Sequence, residues 1–295
     1  MIVDAHTHLF PPEFLARRAS LVKRDRIFAE MYSNVRAPMI TAEELLKSMD
    51  RNGIDIAVVA GIGWENQELA QESNHYISES VQKFPDRLIG FCSVNPSWHD
   101  SVIDEIEQLV RIGIRGIGEL HLRDEVFLDS GMEPVLRLAN TAGRLGIPVL
   151  IHASEPVGHM YPGKGTTFPS RLVSLFEACP DTCFIAAHWG GGLPFYNLMP
   201  EVEQLLANVY FDCAASPFLY SETIFRIVTE LVGPNKILFG TDFPLVKPHI
   251  LLEQIRNSHL AQDVQEMILG GNAARLFNID LDRKESGDKL PNNRA

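Results

Sequence analysis

Short apolar runs recur along the chain with longer amphipathic segments between them, and their number predicts the architecture. Runs of strand length fall at about 2–8, 54–60, 88–94, 114–120, 148–153, 183–188, 209–214 and 237–241. Several are almost unbroken in apolar residues, as parallel strands covered on both faces require. Between them the period changes. Val102, Ile103, Ile106, Leu109 and Val110 form one stripe at helical spacing, and Ile224, Phe225, Val228, Leu231 and Val232 form another. Thr41 followed by Glu44 predicts a capping box for the first long helix. Gly146-Ile147-Pro148 and Gly233-Pro234 mark helix ends ahead of the fifth and eighth strands. Eight strand–helix repeats predict a closed (β/α)8 barrel, an α/β fold, over an open doubly wound sheet. No GxGxxG follows the first strand, so the dinucleotide-binding alternative lacks its phosphate loop.

Two stretches depart from the repeat. Residues 9–40 exceed an ordinary strand-to-helix loop and combine Pro11, Pro12, Phe14, Phe28 and Tyr32 with several basic side chains. They predict either a lid or substrate wall containing a short helix, or an insertion covering a barrel edge. From 280 to 295 the chain is too polar to add core, and it reads as a tail behind a helix over 272–277. No linker interrupts 1–279, which is expected to be one barrel domain that includes the possible lid.

Composition narrows the partners. With 38 acidic residues against 26 Lys and Arg, the net charge of −12 opposes binding to a phosphate backbone, although a local basic pocket for a small anion is compatible with it. The start of the chain shows no signal-peptide pattern, and no apolar stretch reaches the roughly 20 residues that span a bilayer. Cys92, Cys179, Cys183 and Cys213 lack paired metal spacing and suit reduced thiols. A cytoplasmic enzyme acting on a small, anionic molecule is the expectation, with homo-oligomerisation compatible with it.

The candidate chemistry lies at the strand ends. Asp4, His6 and His8 alternate with Val3, Ala5 and Thr7, so the three polar side chains share one face of the first strand. His6 and His8 can present imidazole nitrogens to a common divalent ion, while Asp4, one pleat deeper, can orient a ligand or close the floor. His152 ends PVLIHAS, His188 ends CFIAAH, and Asp242 follows ILFGT. Parallel barrel strands converge on one mouth, so these residues should meet there. Glu119, at the end of GIRGIGE, is placed to ligate or bridge metal or to hold a ligating imidazole, with His121 two positions on. Zinc is the leading ion and manganese the alternative, as one ion or two. Beside the metal, Asp242 can also accept a proton from bound water. Gly190, Gly191 and Gly192 either open an approach beside His188 or form a tight turn. Trp189 and Phe195 are candidate aromatic walls, and Arg123, His159, Tyr161, Lys164 and Lys247 are candidate rim groups for an anionic substrate.

The motifs IVDAHTHLF, GIRGIGEL, PVLIHAS, FIAAHWGGG, ILFGTDFP and GGNAARLF together resemble the amidohydrolase superfamily, in its amidohydrolase-related branch, over about 1–279. AHWGGGLPF also resembles a segment of the aminocarboxymuconate-semialdehyde decarboxylase group. The resemblance implies a distorted (β/α)8 TIM barrel in which His6, His8 and His152 bind metal, His188 ligates or polarises substrate, and Asp242 activates water. Where two-metal members carry a carboxylated lysine on the fourth strand, this chain has Glu119. The branch contains hydrolases and nonoxidative decarboxylases. The leading reading is hydrolysis of a small amide, ester or lactone, its substrate carrying a carboxylate held by a rim cation. The alternatives are metal-dependent decarboxylation of an aromatic or unsaturated acid, and a binding protein on an inactive scaffold.

Overall fold

The computed structural model describes residues 1–98, 101–124 and 129–280, so the polar tail predicted from 280 lies beyond them from 281 onward. Eight parallel strands follow one another in chain order: β1 (Val3–His8), β2 (Ile56–Ala60), β3 (Leu88–Cys92), β4 (Gly116–Leu120), β5 (Val149–Ile151), β6 (Phe184–Ala186), β7 (Val209–Asp212) and β8 (Ile237–Leu238). Each pairs with the next. Closure comes from β1 against the segment after β8. The Ala5 amide donates to Phe239 O, the His8 amide to Phe243 O, and the Asp242 amide to His6 O, each at 2.8 Å. The result is a distorted TIM barrel.

The later strands are shorter than the apolar runs suggest. The runs at 148–153, 183–188 and 237–241 yield strands ending at Ile151, Ala186 and Leu238. The metal-site candidates His152 and His188 lie in the remaining residues of those runs, the His152 amide donating to Leu120 O at 2.9 Å, and Asp242 lies one residue past the last run.

The amphipathic stripes form helices as their spacing requires. Ser101–Arg111 buries Val102, Ile106 and Leu109, and Thr223–Val232 buries Ile224, Phe225 and Val228. Glu44 Oε2 accepts from the Thr41 amide at 2.9 Å, closing the start of the Ala42–Asn52 helix. Gly146 ends the Glu133–Leu145 helix at φ 66°, a left-handed cap that glycine adopts without a Cβ penalty. A large apolar cluster joins helix faces to strands, and a second ties Val58, Ile89, Phe91, Leu150 and Ile185 to Ala273 and Phe277 at the C-terminal helix Asn272–Leu276. No helix among the described residues is long and apolar enough to cross a membrane.

The insertion at 9–40 contains three short helices where one is expected: Pro12–Ala16, Arg18–Arg24 and Arg26–Tyr32. Phe10, Phe14, Leu21, Ile27 and Phe28 bury themselves against Ile62, Trp64 and Leu69. This aromatic cluster fixes the insertion to the β2 side of the mouth. Asp25 locks it further, accepting from Phe28 N, Glu65 N and Asn66 N at 2.8 Å each.

Candidate metal centre and active site

Strand alternation and strand-end turns bring seven acid and imidazole side chains together. His6 Nε2 and His8 Nε2 are 3.1 Å apart. Glu119 Oε2 lies 3.6 Å from both and 3.1 Å from His121 Nε2. Glu119 Oε1 lies 3.0 Å from His152 Nδ1 and 3.4 Å from His188 Nε2, and Asp242 Oδ1 is 3.2 Å from His8 Nε2. Two sets, His6–His8–Glu119 and Glu119–His152–His188, each bring three possible ligand atoms within 4.8 Å of one another and share the glutamate.

The donor chemistry fits a divalent cation. His8 Nδ1 faces Ala60 O at 3.1 Å and His188 Nδ1 faces Ala214 O at 3.2 Å, and a carbonyl can only accept. Both rings therefore carry the proton on Nδ1 when neutral and turn a bare Nε2 inward. Asp212 Oδ2, 2.8 Å from His6 Nδ1, imposes the same tautomer on His6. Two inward lone pairs at 3.1 Å repel unless a proton or cation lies between them. A divalent metal site is present in this cluster.

Without the cation, charge neutralisation falls to protons. Burial opposes ionisation of His6, yet Asp212 and Glu119 push its imidazolium well above the usual value. Burial likewise opposes ionisation of His188, but hydrogen bonding and charge from Glu119 raise it to about 9. His152 goes the other way, pulled down to about 4 by burial and the neighbouring His121. Burial works against the ionised Glu119 and Asp242, but the surrounding imidazoles hold both below the ordinary carboxylate range.

A surrounding layer of hydrogen bonds sets these side chains. Asp212, which ends β7, accepts from the His188 and Ala214 amides through Oδ1 at 2.8 and 3.0 Å while holding His6 through Oδ2. Sequence reasoning passed over Asp212, although its signal, an acid closing the apolar run VYF, matches the one that singles out Asp242. Asp4 accepts from Thr241 N at 3.0 Å and Thr241 Oγ1 at 2.6 Å. Thr241 Oγ1 in turn accepts from Phe243 N at 3.0 Å. His188, Trp189 and Asp242 sit at φ 55°, 58° and 58°, a left-handed region that costs non-glycine residues energy and persists only when surroundings hold it.

The amidohydrolase family profile matches residues 3–279. The chain belongs to this family. It is 22% identical to the 2-amino-3-carboxymuconate-6-semialdehyde decarboxylase of Dictyostelium discoideum, over 94% of this chain and 92% of that protein. It is also 22% identical to the gamma-resorcylate decarboxylase of Polaromonas sp., over 80% and 86% respectively. Among solved structures, the 5-carboxyvanillate decarboxylase of Novosphingobium aromaticivorans, complexed with manganese and 4-hydroxy-3-methoxy-5-nitrobenzoic acid, superposes with a TM-score of 0.75. That pair shares 17% identity and covers 95% and 96% of the two chains.

Above the donor cluster lies a cavity of about 400 Å³ whose walls are mostly apolar. His8, Glu119, His152, His188 and Asp242 line it, and His121 joins them. The insertion supplies Met31, Tyr32, Asn34, Ala37 and Pro38, so it forms a wall of the site. Of the seven substrate-contact candidates, the structure brings His159 and Tyr161 to the cavity and leaves five away from it. Arg123 pairs with Glu30 at 3.1 Å. Lys164 donates to Val157 O at 2.9 Å and His159 O at 3.1 Å. Lys247 is exposed ahead of the Pro248–Arg256 helix. Trp189 is fully buried, its Nε1 donating to Ser216 Oγ at 2.8 Å, and Phe195 stands beside Tyr220. Gly190, Gly191 and Gly192 all have positive φ and do not line the cavity. A Cβ on Gly191 would meet Ser154 O at 2.3 Å, so close backbone packing accounts for that glycine.

Proposed function

We propose that this chain is a metal-dependent nonoxidative decarboxylase of an aromatic or unsaturated carboxylic acid. One observation carries the choice over hydrolysis: among the described residues, no Lys or Arg lines the cavity. A lactone or amide with a remote carboxylate needs a cation away from the reacting carbon. An acid whose carboxylate is itself the reacting group finds its counter-charge at the donor cluster. Relatives named as decarboxylases, aligned over nearly the whole chain, support the same reading.

His6, His8, His152, Glu119 and Asp242 would hold the ion, and imidazole with carboxylate oxygen suits zinc or manganese. Manganese is the ion in the 5-carboxyvanillate decarboxylase complex. When bound, the ion supplies positive charge that fixes and polarises the substrate carboxylate. His188, tied by Nδ1 to Ala214 O, directs Nε2 toward the same place and orients the acid. The apolar walls exclude water from the breaking carbon–carbon bond. Carbon dioxide leaves, and the electron pair left on carbon takes a proton. Asp242 lines the cavity with 16% of its side chain accessible, and its carboxylate, ionised at rest, is placed to take up a proton from solvent and pass it to that carbon. His159 and Tyr161 line the same cavity and are placed to contact the substrate.

The test is a screen of metal-loaded protein against matched aromatic acids, unsaturated acids, lactones and amides, following product mass and carbon dioxide together. Stoichiometric carbon dioxide from an acid, lost in Asp242→Asn, is expected. Water addition to a lactone or amide, with no carbon dioxide from any acid, would overturn the proposal. Metal analysis of the same loaded protein distinguishes one ion from two bridged by Glu119.

A further inference from the structure

His121 belongs to neither donor set, although it lines the cavity beside them. Its Nε2 lies 3.1 Å from Glu119 Oε2. Ionised despite its burial, the Glu119 carboxylate can only accept, so the proton of this bond sits on His121 Nε2. A ring nitrogen that carries this proton has no lone pair left for a cation.

The His121 ring is seated from two sides. It stacks on His152 with ring centroids 4.3 Å apart and planes 13° from parallel. Gly63, in the turn after β2, packs against its backbone and side chain. A Cβ there would meet His121 N and Cβ at 2.7 Å each and Cδ2 at 3.1 Å, so any side chain at 63 would push His121 out of place. The same turn holds the backbone of Glu119, whose amide donates to Gly61 O at 2.9 Å.

Two near-parallel imidazoles thus face the two oxygens of one carboxylate, with His121 Nε2 on Oε2 and His152 Nδ1 at 3.0 Å from Oε1. The last torsion of a glutamate is broad and roughly two-fold, so the carboxylate does not fix its own rotation. A glutamate shared between two donor sets needs that rotation fixed, because Oε2 faces His6 and His8 while Oε1 faces His188.

We infer that His121 is a positioning residue for the metal centre: seated on Gly63 and stacked on His152, it donates Nε2–H to Glu119 and holds one carboxylate oxygen toward each donor set. The role concerns the donor cluster alone and does not depend on which reaction the cluster serves.

The experiment uses the full-length protein loaded with manganese or cobalt. It reads metal affinity by competition with a chelator, and the visible spectrum of the cobalt form. His121→Phe keeps a ring to stack on His152 and loses the donor. Affinity should fall about 10- to 100-fold, the range for a group that orients a ligand. His121→Gln places an amide N–H at similar reach and should recover most of that loss. At saturating cobalt the spectrum of the Gln protein should match the parent's, since no ligand has been removed. Gly63→Ala, with His121 intact, should weaken metal binding by displacing the ring. Unchanged affinity in a folded His121→Phe protein would overturn the inference. So would a loss that Gln does not recover, and a cobalt spectrum altered in His121→Gln would make His121 a ligand instead. If the Phe protein does not fold, the other two variants decide: weaker binding in Gly63→Ala than in His121→Gln is expected, and the reverse order overturns the role.

Discussion

The two sides of the metal centre are built by different means. On one side, His6 and His8 project from a six-residue strand whose strict alternation places both rings on one face. On the other, His188 and Asp242 follow strands of three and two residues and sit in left-handed backbone conformations. Periodicity places the first pair on one face, and Asp212 and the Ala60 carbonyl then fix the rings. The second pair is held by side chains that never touch the cavity: Asp212 grips the His188 amide, and Asp4 grips Thr241 beside Asp242. The strand side therefore takes the direction of its ligands from local alternation, whereas the turn side depends on a few buried hydrogen bonds for its backbone as well.

The largest effect should come from the strand side itself. His6→Ala or His8→Ala removes an imidazole from the donor set, and turnover should fall with bound metal; metal content and activity of the folded variants check this. Metal content matching the unmodified protein would remove these residues from the site. Next is Asp242→Asn, which keeps the size and loses the basic oxygen. A fall in kcat of about 10² to 10⁴ is expected with the melting temperature little changed, because proton transfer by a placed group is worth that much. Full turnover across the pH range would exclude proton delivery by Asp242.

Asp212→Asn tests the link between the two sides. The amide oxygen can still accept from the His188 and Ala214 amides, but its NH2 then faces His6 Nδ1 and forces the proton onto Nε2, toward the metal position. Metal affinity should drop by about 10- to 100-fold, the usual range for a group that orients a ligand. Unchanged affinity by competition with a chelator would show that His6 needs no such partner.

Thr241→Val should act more weakly and only on the turn side. It removes the hydroxyl that donates to Asp4 Oδ2 and accepts from Phe243 N, at a cost of about 1–3 kcal/mol in stability for the polar atoms left behind. A fall in kcat at unchanged KM, restored by Thr241→Ser, would separate positioning of Asp242 from simple destabilisation. The smallest effect concerns protons. In the metal-free protein the carboxylates raise His6, and they raise His188 to about 9, so both rings hold protons at neutral pH that the metal must displace. Affinity should therefore increase as pH rises toward about 9, with proton release on loading, read by calorimetry in buffers of different ionisation enthalpy. Affinity that weakens over that interval would contradict the assigned shifts.

Of the two reactions open at the outset, the family resemblance puts hydrolysis first, and both are expected to use rim cations that follow the strands carrying Glu119, His152 and Asp242. Arg123, Lys164 and Lys247 follow those strands in sequence but not the cavity in space. A long side chain one or two residues past a strand end can swing to either surface, and local pattern does not record which carbonyl or carboxylate it meets. Tyr32 shows the converse. It belongs to an insertion whose function the pattern left open, yet stacking on Phe28 at 4.9 Å places it in the cavity wall.

The sequence by itself determined the number and order of strands, the helix faces, and the meeting of His6, His8, His152, His188 and Asp242. Alternation and apolar run length are local properties, and a parallel barrel has only one mouth to which such strand ends can lead. Tertiary structure alone decided that Asp212 holds His6, that Asp4 braces Thr241, and that no Lys or Arg among the described residues lines the cavity. Those outcomes depend on where residues up to 237 positions apart come to lie. Buried polar groups take whichever partner the closed barrel brings within reach, because leaving them unpaired costs more than the turn that reaches them.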